Sequence, residues 1–518
     1  MAEPGTEILT MKGVYKAFGQ NTALQNVKFH LNAREIHGLV GGNGAGKTTL
    51  MNVLYGLYKP DAGEITIHGQ PVQIASPKDA IHNRIGMVHQ HFPQIRTFTA
   101  IENIVLGMDL KSKYTMRLDE EEKQLIELCD KFGLHVDLHA VVENLPMGSR
   151  QKIEILKALY RGVEILILDE PTTNLTPQEV DSLFQSLRDM VREGLSIVFI
   201  THKLKEVLAV CDRISVLRNG QNVMTLRRDQ SSEQAFIRGM VGDEMNIQDS
   251  VLFTKRELDP ESLVVGEHPR LQMNSVTVTN PDGIHLLNNV TLEIKEQEIL
   301  GVAGVAGNGQ IELAETVMGV RPVADGNIRF EDSDIVSQPT RQLLRQGCAY
   351  IPEDSLNDGF LPKPNVAQNL ILGFHRFKPY STNGFMDWKS IFNEARRLIS
   401  EYNIKTTGPT QSGADLSGGN IQRVMIARAF SRPCKLLVAH NPTRGLDIPS
   451  IDFIYTNLLE RKKQGMSTLL LSENLDELLL LSDRIAVIYR GQIMGILNRN
   501  QFDKYEIGRM MSGVRTVA

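Results

Sequence analysis

The chain repeats itself. The segment LLNNVTLEIKEQEILGVAGVAGNGQ from Leu286 echoes ALQNVKFHLNAREIHGLVGGNGAGK from Ala23, an offset of 263 residues, and DRIAVIYRGQ from Asp483 echoes DRISVLRNGQ from Asp212, an offset of 271. A period of that length is a whole domain, so any architecture the chain adopts must be built twice. The first copy is expected over residues 5–250 and the second over 269–515. The joint falls in 251–270, where charges and two prolines interrupt the apolar pattern. The linker proper is set at 251–268.

In each copy a short apolar strand, IHGLV (Ile36–Val40) in the first, runs into a glycine-rich loop. A helix-period segment follows, in which Leu50, Val53, Leu54 and Leu57 share one face. Later apolar runs, ILIL at Ile165–Leu168 and SIVFI at Ser196–Ile200, alternate with helical patterns. That alternation predicts an α/β fold with a mostly parallel sheet covered by helices. The formal net charge of -5 supplies no electrostatic reason to expect nucleic acid as the main ligand. Cys129, Cys211, Cys348 and Cys434 show no metal-type spacing and read as reduced thiols in a reducing compartment. No segment approaches the ~18 consecutive apolar residues of a membrane span, so a membrane role is expected to be peripheral, through a partner.

The chemistry concentrates in the first copy. Gly41-Gly42-Asn43-Gly44-Ala45-Gly46-Lys47-Thr48 satisfies G-x-x-x-x-G-K-[ST], whose glycines let backbone N–H groups close around phosphates. Lys47 would neutralise phosphate charge and Thr48 would ligate magnesium. The phosphates would face a helix N-terminus, where the dipole favours negative charge. Asp169 and Glu170 follow a buried strand and emerge at its carboxyl end, the ligand edge of such sheets. Asp169 suits indirect magnesium binding and Glu170 a water. His202 closes another apolar strand. Gln90, in GMVHQHF, offers a neutral amide that can touch magnesium and move when nucleotide leaves.

These residues, in this order, resemble the nucleotide-binding domain of the ABC transporter superfamily, over nearly the full chain. The resemblance implies two tandem P-loop domains, each with a helical subdomain, paired head to tail so that each ATP lies between the phosphate loop of one and the signature of the other. The intact signature is Leu416-Ser417-Gly418-Gly419-Asn420, in the second copy. One ATP-Mg2+ site would then comprise Gly41 through Thr48, Thr49, Gln90, Asp169, Glu170 and His202 with Ser417, Gly418, Gly419, Asn420 and Asp447. Lys47, Glu170 and His202 would carry the catalysis. Phe18, in YKAFG, is similar to the aromatic residue that stacks on adenine, and a core position satisfies the same pattern.

The other site has lost its parts. The second phosphate loop, Gly304-Val305-Ala306-Gly307-Asn308-Gly309-Gln310-Ile311, lacks both the lysine and the metal-binding hydroxyl. His440 and Asn441 stand for Asp169 and Glu170, Glu473 for His202, and Glu353 for Gln90, where carboxylates would repel phosphate. The first copy's signature, Leu145-Pro146-Met147-Gly148-Ser149, has proline in place of the serine, removing a donor and a backbone N–H. Asp447, in TRGLD, is matched in the first copy by Thr176. Intact parts combine with intact parts only if sites are shared between copies; sites built within each copy would split the defects.

A fused pair with GVAGNGQ and PTRGLD is similar to the ATP-binding subunit of bacterial simple-sugar importers. GMVHQHF and QKIEILKALYRG place it nearer the nucleoside branch than the ribose or galactose branches. The resemblance implies two integral-membrane permeases as partners, an extracytoplasmic solute-binding protein indirectly, and a peripheral place on the cytoplasmic face of the membrane. The permease groove would run from His91 and Phe92 to about Leu106, and from Asp354 to about Leu372. Importers of riboflavin-like solutes, a ribosome-associated ABC ATPase and a non-enzymatic regulatory subunit are the other readings. The last two are opposed by the single degenerate site with its short linker, and by the presence of Lys47, Thr48, Asp169, Glu170, His202 and Ser417.

Overall fold

The computed structural model describes residues 3, 5–19, 21–90, 92–108, 118–173, 175–230, 232–242, 250–252 and 264–514. Residues 253–263 of the expected linker, and His91, lie outside them. The chain separates into two compact units, Met1–Asn246 and Ile247–Ala518.

In the first unit a six-stranded sheet is built from β1 (Ile36–Val40), β2 (Ile85–Val88), β3 (Ile165–Asp169), β4 (Ser196–Thr201), β5 (Arg213–Arg218) and β6 (Gln221–Arg227). Their spatial order is β2-β3-β4-β1-β5-β6, all parallel except for β6, which runs antiparallel at the edge. Every residue of β1 to β4 is buried. Strands covered on both faces need near-continuous apolar runs, and that is what IHGLV, ILIL and SIVFI supply.

The second unit repeats the plan with β7 (Ile299–Ala303), β8 (Cys348–Ile351), β9 (Leu436–His440), β10 (Ser467–Ser472), β11 (Arg484–Tyr489) and β12 (Gln492–Asn498), in the order β8-β9-β10-β7-β11-β12. Helices α1 (Lys47–Leu54) and α2 (Met147–Tyr160) of the first unit correspond to α3 (Gln310–Val317) and α4 (Gly418–Phe430) of the second. Short helical segments stand between β2 and α2, at Ala100–Val105 and Asp119–Phe132, and between β8 and α4, at Val366–Leu370 and Trp388–Glu401. No helix among the described residues is long and apolar enough to cross a membrane.

Each unit also carries a four-stranded antiparallel sheet that the strand-loop-helix pattern did not separate: Glu7–Phe18, Asn21–Asn32, Ala62–Ile67 and Gln70–Pro71 in the first. Its Leu9, Met11, Val14, Val27 and Leu31 share one core with Leu50, Met51 and Val53 of α1 and Ile167 and Val198 of the large sheet. Leu57 does not join the face expected of it. The helix ends at Leu54, Gly56 turns the chain with φ +77°, and Leu57 is 47% exposed.

One ion pair recurs at the mouth of the central strand in both units. Glu298, fully buried just before β7, accepts from Arg484 Nε at 2.6 Å and Nη2 at 3.1 Å and from the Lys295 amide at 2.6 Å. Glu35 does the same before β1 with Arg213 at 3.1 Å and the Asn32 amide at 2.7 Å. Arg484→Ala would leave the Glu298 carboxylate buried and unpaired. Urea unfolding should show the second unit losing about 3–5 kcal/mol with the first unit unchanged, and a loss of only a few tenths would show the pair to be dispensable.

Candidate functional site

The loop from Val40 to Lys47 is pressed against the sheet. A Cβ on Gly41 would meet the Leu217 carbonyl oxygen at 2.2 Å, and one on Gly46, whose φ is +100°, would meet that of Ala23 at 2.7 Å. Only glycine fits either position. Lys47 is buried, and its ammonium donates to the carbonyls of Gly41 at 2.7 Å and Gly42 at 3.0 Å. Burial lowers its pKa, opposed by Glu170 and Asp169. A cation is thus stored inside the loop where phosphates would lie. Asn43, Gly44 and Thr48 are exposed, and Thr49 is half-buried.

Asp169 ends β3 and accepts from Thr48 Oγ1 at 3.0 Å. Burial holds its pKa above the usual carboxylate range, with the Thr48 bond pulling the other way. Glu170 comes next with φ +49°, a left-handed conformation uncommon outside glycine, and its amide is tied to the Ile200 carbonyl at 2.9 Å. That turn brings its carboxylate among three partners, one of them Thr173 Oγ1, which donates to Oε2 at 3.5 Å. His202 Nδ1 bonds Oε1 at 2.8 Å, and Gln90 Nε2 donates to Oε2 at 3.4 Å. Burial pushes the Glu170 pKa up, but the His202 bond and the charges of His202, Lys47 and Lys203 together carry it below the usual value. The hydroxyl of Thr48, the carboxylate of Asp169 and the amide oxygen of Gln90 are hard oxygen donors, which suit magnesium.

One contributor was missed in the sequence. Glu206 Oε2 accepts from Thr172 Oγ1 at 2.6 Å and Thr201 Oγ1 at 3.4 Å, tying the turn after Glu170 to the strand end before His202. Its signal was recurrence, since Glu477 stands four residues after Glu473 and bonds Thr443 at 2.8 Å and Ser472 at 2.5 Å.

In the second unit Gly307 and Gly309 keep φ of +82° and +112°, so the loop shape survives. A Cβ on Gly304 would lie 2.5 Å from the amide nitrogen of Gln310. Gln310 is buried, donates to the Val305 carbonyl at 3.2 Å, and leaves Oε1 without a partner. Ile311 stands where Thr48 does and is 41% exposed. Asn441 repeats the left-handed turn with φ +44°. Glu353 accepts from Asn441 Nδ2 at 3.1 Å and from Arg444, with His440 Nε2 at 3.8 Å. The repulsion expected of Glu353 is met by that arginine.

Ser417 caps α4, but its exposed hydroxyl makes no capping bond and instead accepts from Asn420 Nδ2 at 2.8 Å. Gly418 and Gly419 open the helix, and Pro146 occupies the equivalent cap of α2. Asp447 and Thr176 are both helix N-caps, bonding the amides of Ser450 at 3.0 Å and Glu179 at 3.4 Å. Phe18 is not core: it is 44% exposed, edge-on to Tyr58 at 5.1 Å between ring centroids. Phe92 is half-buried.

Residues 24–173 and 287–444 both match the family model described as ABC transporter. This chain belongs to the ABC transporter family. It is 39% identical to the nucleoside import ATP-binding protein NupA of Lactococcus lactis over 98% of each chain. It is also 39% identical to the glucose import ATP-binding protein TsgD13 of Haloferax volcanii, over 98% of this chain and 96% of that one. The ribose import ATP-binding protein RbsA of Bacillus licheniformis stands at 33%, over 98% of this chain and all of that one. One matched range lies in each unit, and the two include the glycine loops that begin at Gly41 and Gly304.

The geometry at Glu170 fixes a titration. Its folded-state pKa is depressed, so its ionisation stabilises the fold above the unfolded carboxylate range and that contribution is lost as pH falls through the folded value. His202→Ala leaves burial as the largest remaining influence, and the Glu170 pKa should move upward. Site-resolved carbon NMR of labelled glutamate checks this. An unmoved titration would mean that His202 does not hold the charge.

Proposed function

We propose that this chain is the ATP-hydrolysing subunit of an importer for a nucleoside or simple sugar, acting at the cytoplasmic face of the membrane with two permease subunits and, through them, an extracytoplasmic solute-binding protein. The observation that carries this is the convergence of Lys47, Thr48, Asp169, Gln90 and His202 on the surroundings of Glu170 in the first unit, at the carboxyl ends of parallel strands. The identities with nucleoside, glucose and ribose import proteins support the importer reading. Equal identity to the nucleoside and glucose proteins leaves the solute within that class.

Glu170, whose ionised form is favoured by His202, Lys47 and Lys203, orients and polarises the attacking water. Lys47 turns from the loop carbonyls to the phosphates, and His202 steadies the terminal phosphate. Thr48, Gln90 and Asp169 would hold magnesium, Asp169 through water, and the ion would supply charge that offsets the phosphates. Phe18 offers its exposed face to adenine. Positioned acid-base groups contribute about 10²–10⁴-fold in rate, so Glu170→Gln should nearly stop turnover while ATP still binds. Turnover at the wild-type rate, measured as phosphate release, would remove Glu170 from the mechanism.

The site draws its signature from the other copy: Ser417, Gly418, Gly419, Asn420 and Asp447 serve the nucleotide held by Lys47. This is supported by the distribution of losses, since Pro146 and Gln310, with Ile311, His440 and Asn441, would fall together in the degenerate site. Ser417→Arg should then damage hydrolysis as severely as Lys47→Ala, and Gln310→Ala far less. Normal hydrolysis by the Ser417 variant in the assembled transporter would defeat the shared site.

A further inference from the structure

The second unit has lost every group the first uses at Glu170, yet its equivalent residues are not idle. Glu353 stands at the position of Gln90, but where Gln90 has one long contact to Glu170, the Glu353 carboxylate is bonded to Asn441 at 3.1 Å and to Arg444, both in the loop after β9. Two residues on, Ser355 Oγ donates to Gln422 Oε1 at 2.8 Å. Gln422 lies on α4, five residues past Ser417, and its amide donates to the Pro442 carbonyl at 2.6 Å, in the same loop. That loop ends at Asp447.

The first unit keeps only part of this. Gln151 of α2 bonds the Pro171 carbonyl as Gln422 bonds that of Pro442. The residue matching Ser355 is Phe92, which has no hydroxyl, and the one matching Arg444 is Thr173, which carries no charge and turns its Oγ1 to the Glu170 carbonyl at 3.2 Å and carboxylate at 3.5 Å rather than to Gln90. The first unit ties its own segment after Gln90 to α2 differently, through Gln94 Nε2 donating to the Arg150 carbonyl at 2.7 Å, so what is confined, among the described residues, to the second unit is the ionic arm to Arg444 and the Ser355 hydroxyl arm. They join the strand end at Glu353, the signature helix and the Asp447 loop with contacts that need neither nucleotide nor metal.

We infer that Glu353 is a positioning residue for ATP hydrolysis at the Lys47 site, bracing through Arg444, Asn441 and the Ser355–Gln422 bond the two elements, Ser417 and the Asp447 loop, that the second unit contributes. This rests on the shared-site reading above. The position whose Gln90 amide would reach magnesium in the first unit carries, in the second, a carboxylate already bonded to Asn441 and Arg444. Glu353 touches no reacting atom; it acts by removing freedom from groups that do. Misplacing such groups by an ångström costs up to about 10²-fold in rate.

The test is steady-state hydrolysis by the assembled transporter, with kcat and KM resolved, for Glu353→Arg, Arg444→Glu and the double exchange. Each single variant should lower kcat by roughly tenfold, with KM for ATP little changed because the Lys47 loop is untouched. The double exchange restores the ion pair and should recover most of the loss. Ser355→Ala should lower kcat in the same sense by a smaller factor. A double exchange no better than the worse single variant, or single variants with unchanged kcat, overturns the inference; so does a single variant that unfolds the second unit without rescue by the exchange. Ser417→Arg, assayed alongside, separates the two failures. If it is inactive while the Glu353 variants are normal, only the brace is wrong; if it is active, the shared site itself falls.

Discussion

Glu170 sits where burial favours a neutral carboxyl, and its 2.8 Å bond with His202, joined by the charges of His202, Lys47 and Lys203, outweighs that burial and favours the ionised form. The first unit depends on that interaction. Two strand ends must arrive together, β3 delivering Glu170 and β4 delivering His202, and they can because the strands are adjacent and parallel. A left-handed residue is then needed to aim the carboxylate, a local strain of order 1–3 kcal/mol that the surrounding sheet must hold in place. Glu206 ties the two turns together through Thr172 and Thr201. Lys47, folded onto its own loop, places a buried positive charge beside the same carboxylates.

The second unit separates what the fold requires from what the chemistry requires. Sheet order, glycine conformations, the left-handed residue after β9 and the Glu477 clamp are all kept, although the counterparts of Lys47, Thr48, Gln90, Asp169, Glu170 and His202 are all different residues. Asn441 is better suited than Glu170 to a positive φ, since its short amide tolerates that region. Relief of strain and loss of the carboxylate coincide at that position. What the second unit gained is polar bracing around Glu353, and the buried Gln310 amide standing in for the lysine at the Val305 carbonyl.

Much of this was legible in the sequence, for identifiable reasons. Buried parallel strands announce themselves as unbroken apolar runs, and the glycine spacing of the phosphate loop is dictated by contacts such as Gly41 against Leu217, so both could be read locally. The repeat did the rest, because each loss in one copy had its intact counterpart in the other. The antiparallel sheets were harder: Glu7–Phe18 mixes buried and exposed residues with several register shifts, which blurs a period of two. Leu57 was misread because hydrophobic period alone ignores the stop at Gly56. Phe18 could be either core or surface in sequence, and its environment decides between them. Arg444 and Ser355 were invisible for a different reason, since their role lies in partners 91 and 67 residues away that no local pattern connects.

The central claim is a division of labour, with chemistry in the first unit and support in the second, and counting trapped nucleotide tests it most directly. The assembled transporter would be turned over with magnesium, ATP and orthovanadate, freed of loose ligand, and its trapped ADP counted per chain and mapped by photolabelling. The account predicts one ADP per chain, with label on the peptide that contains residues 41–49. Two per chain, or trapped label on the peptide containing residues 304–311, would contradict it.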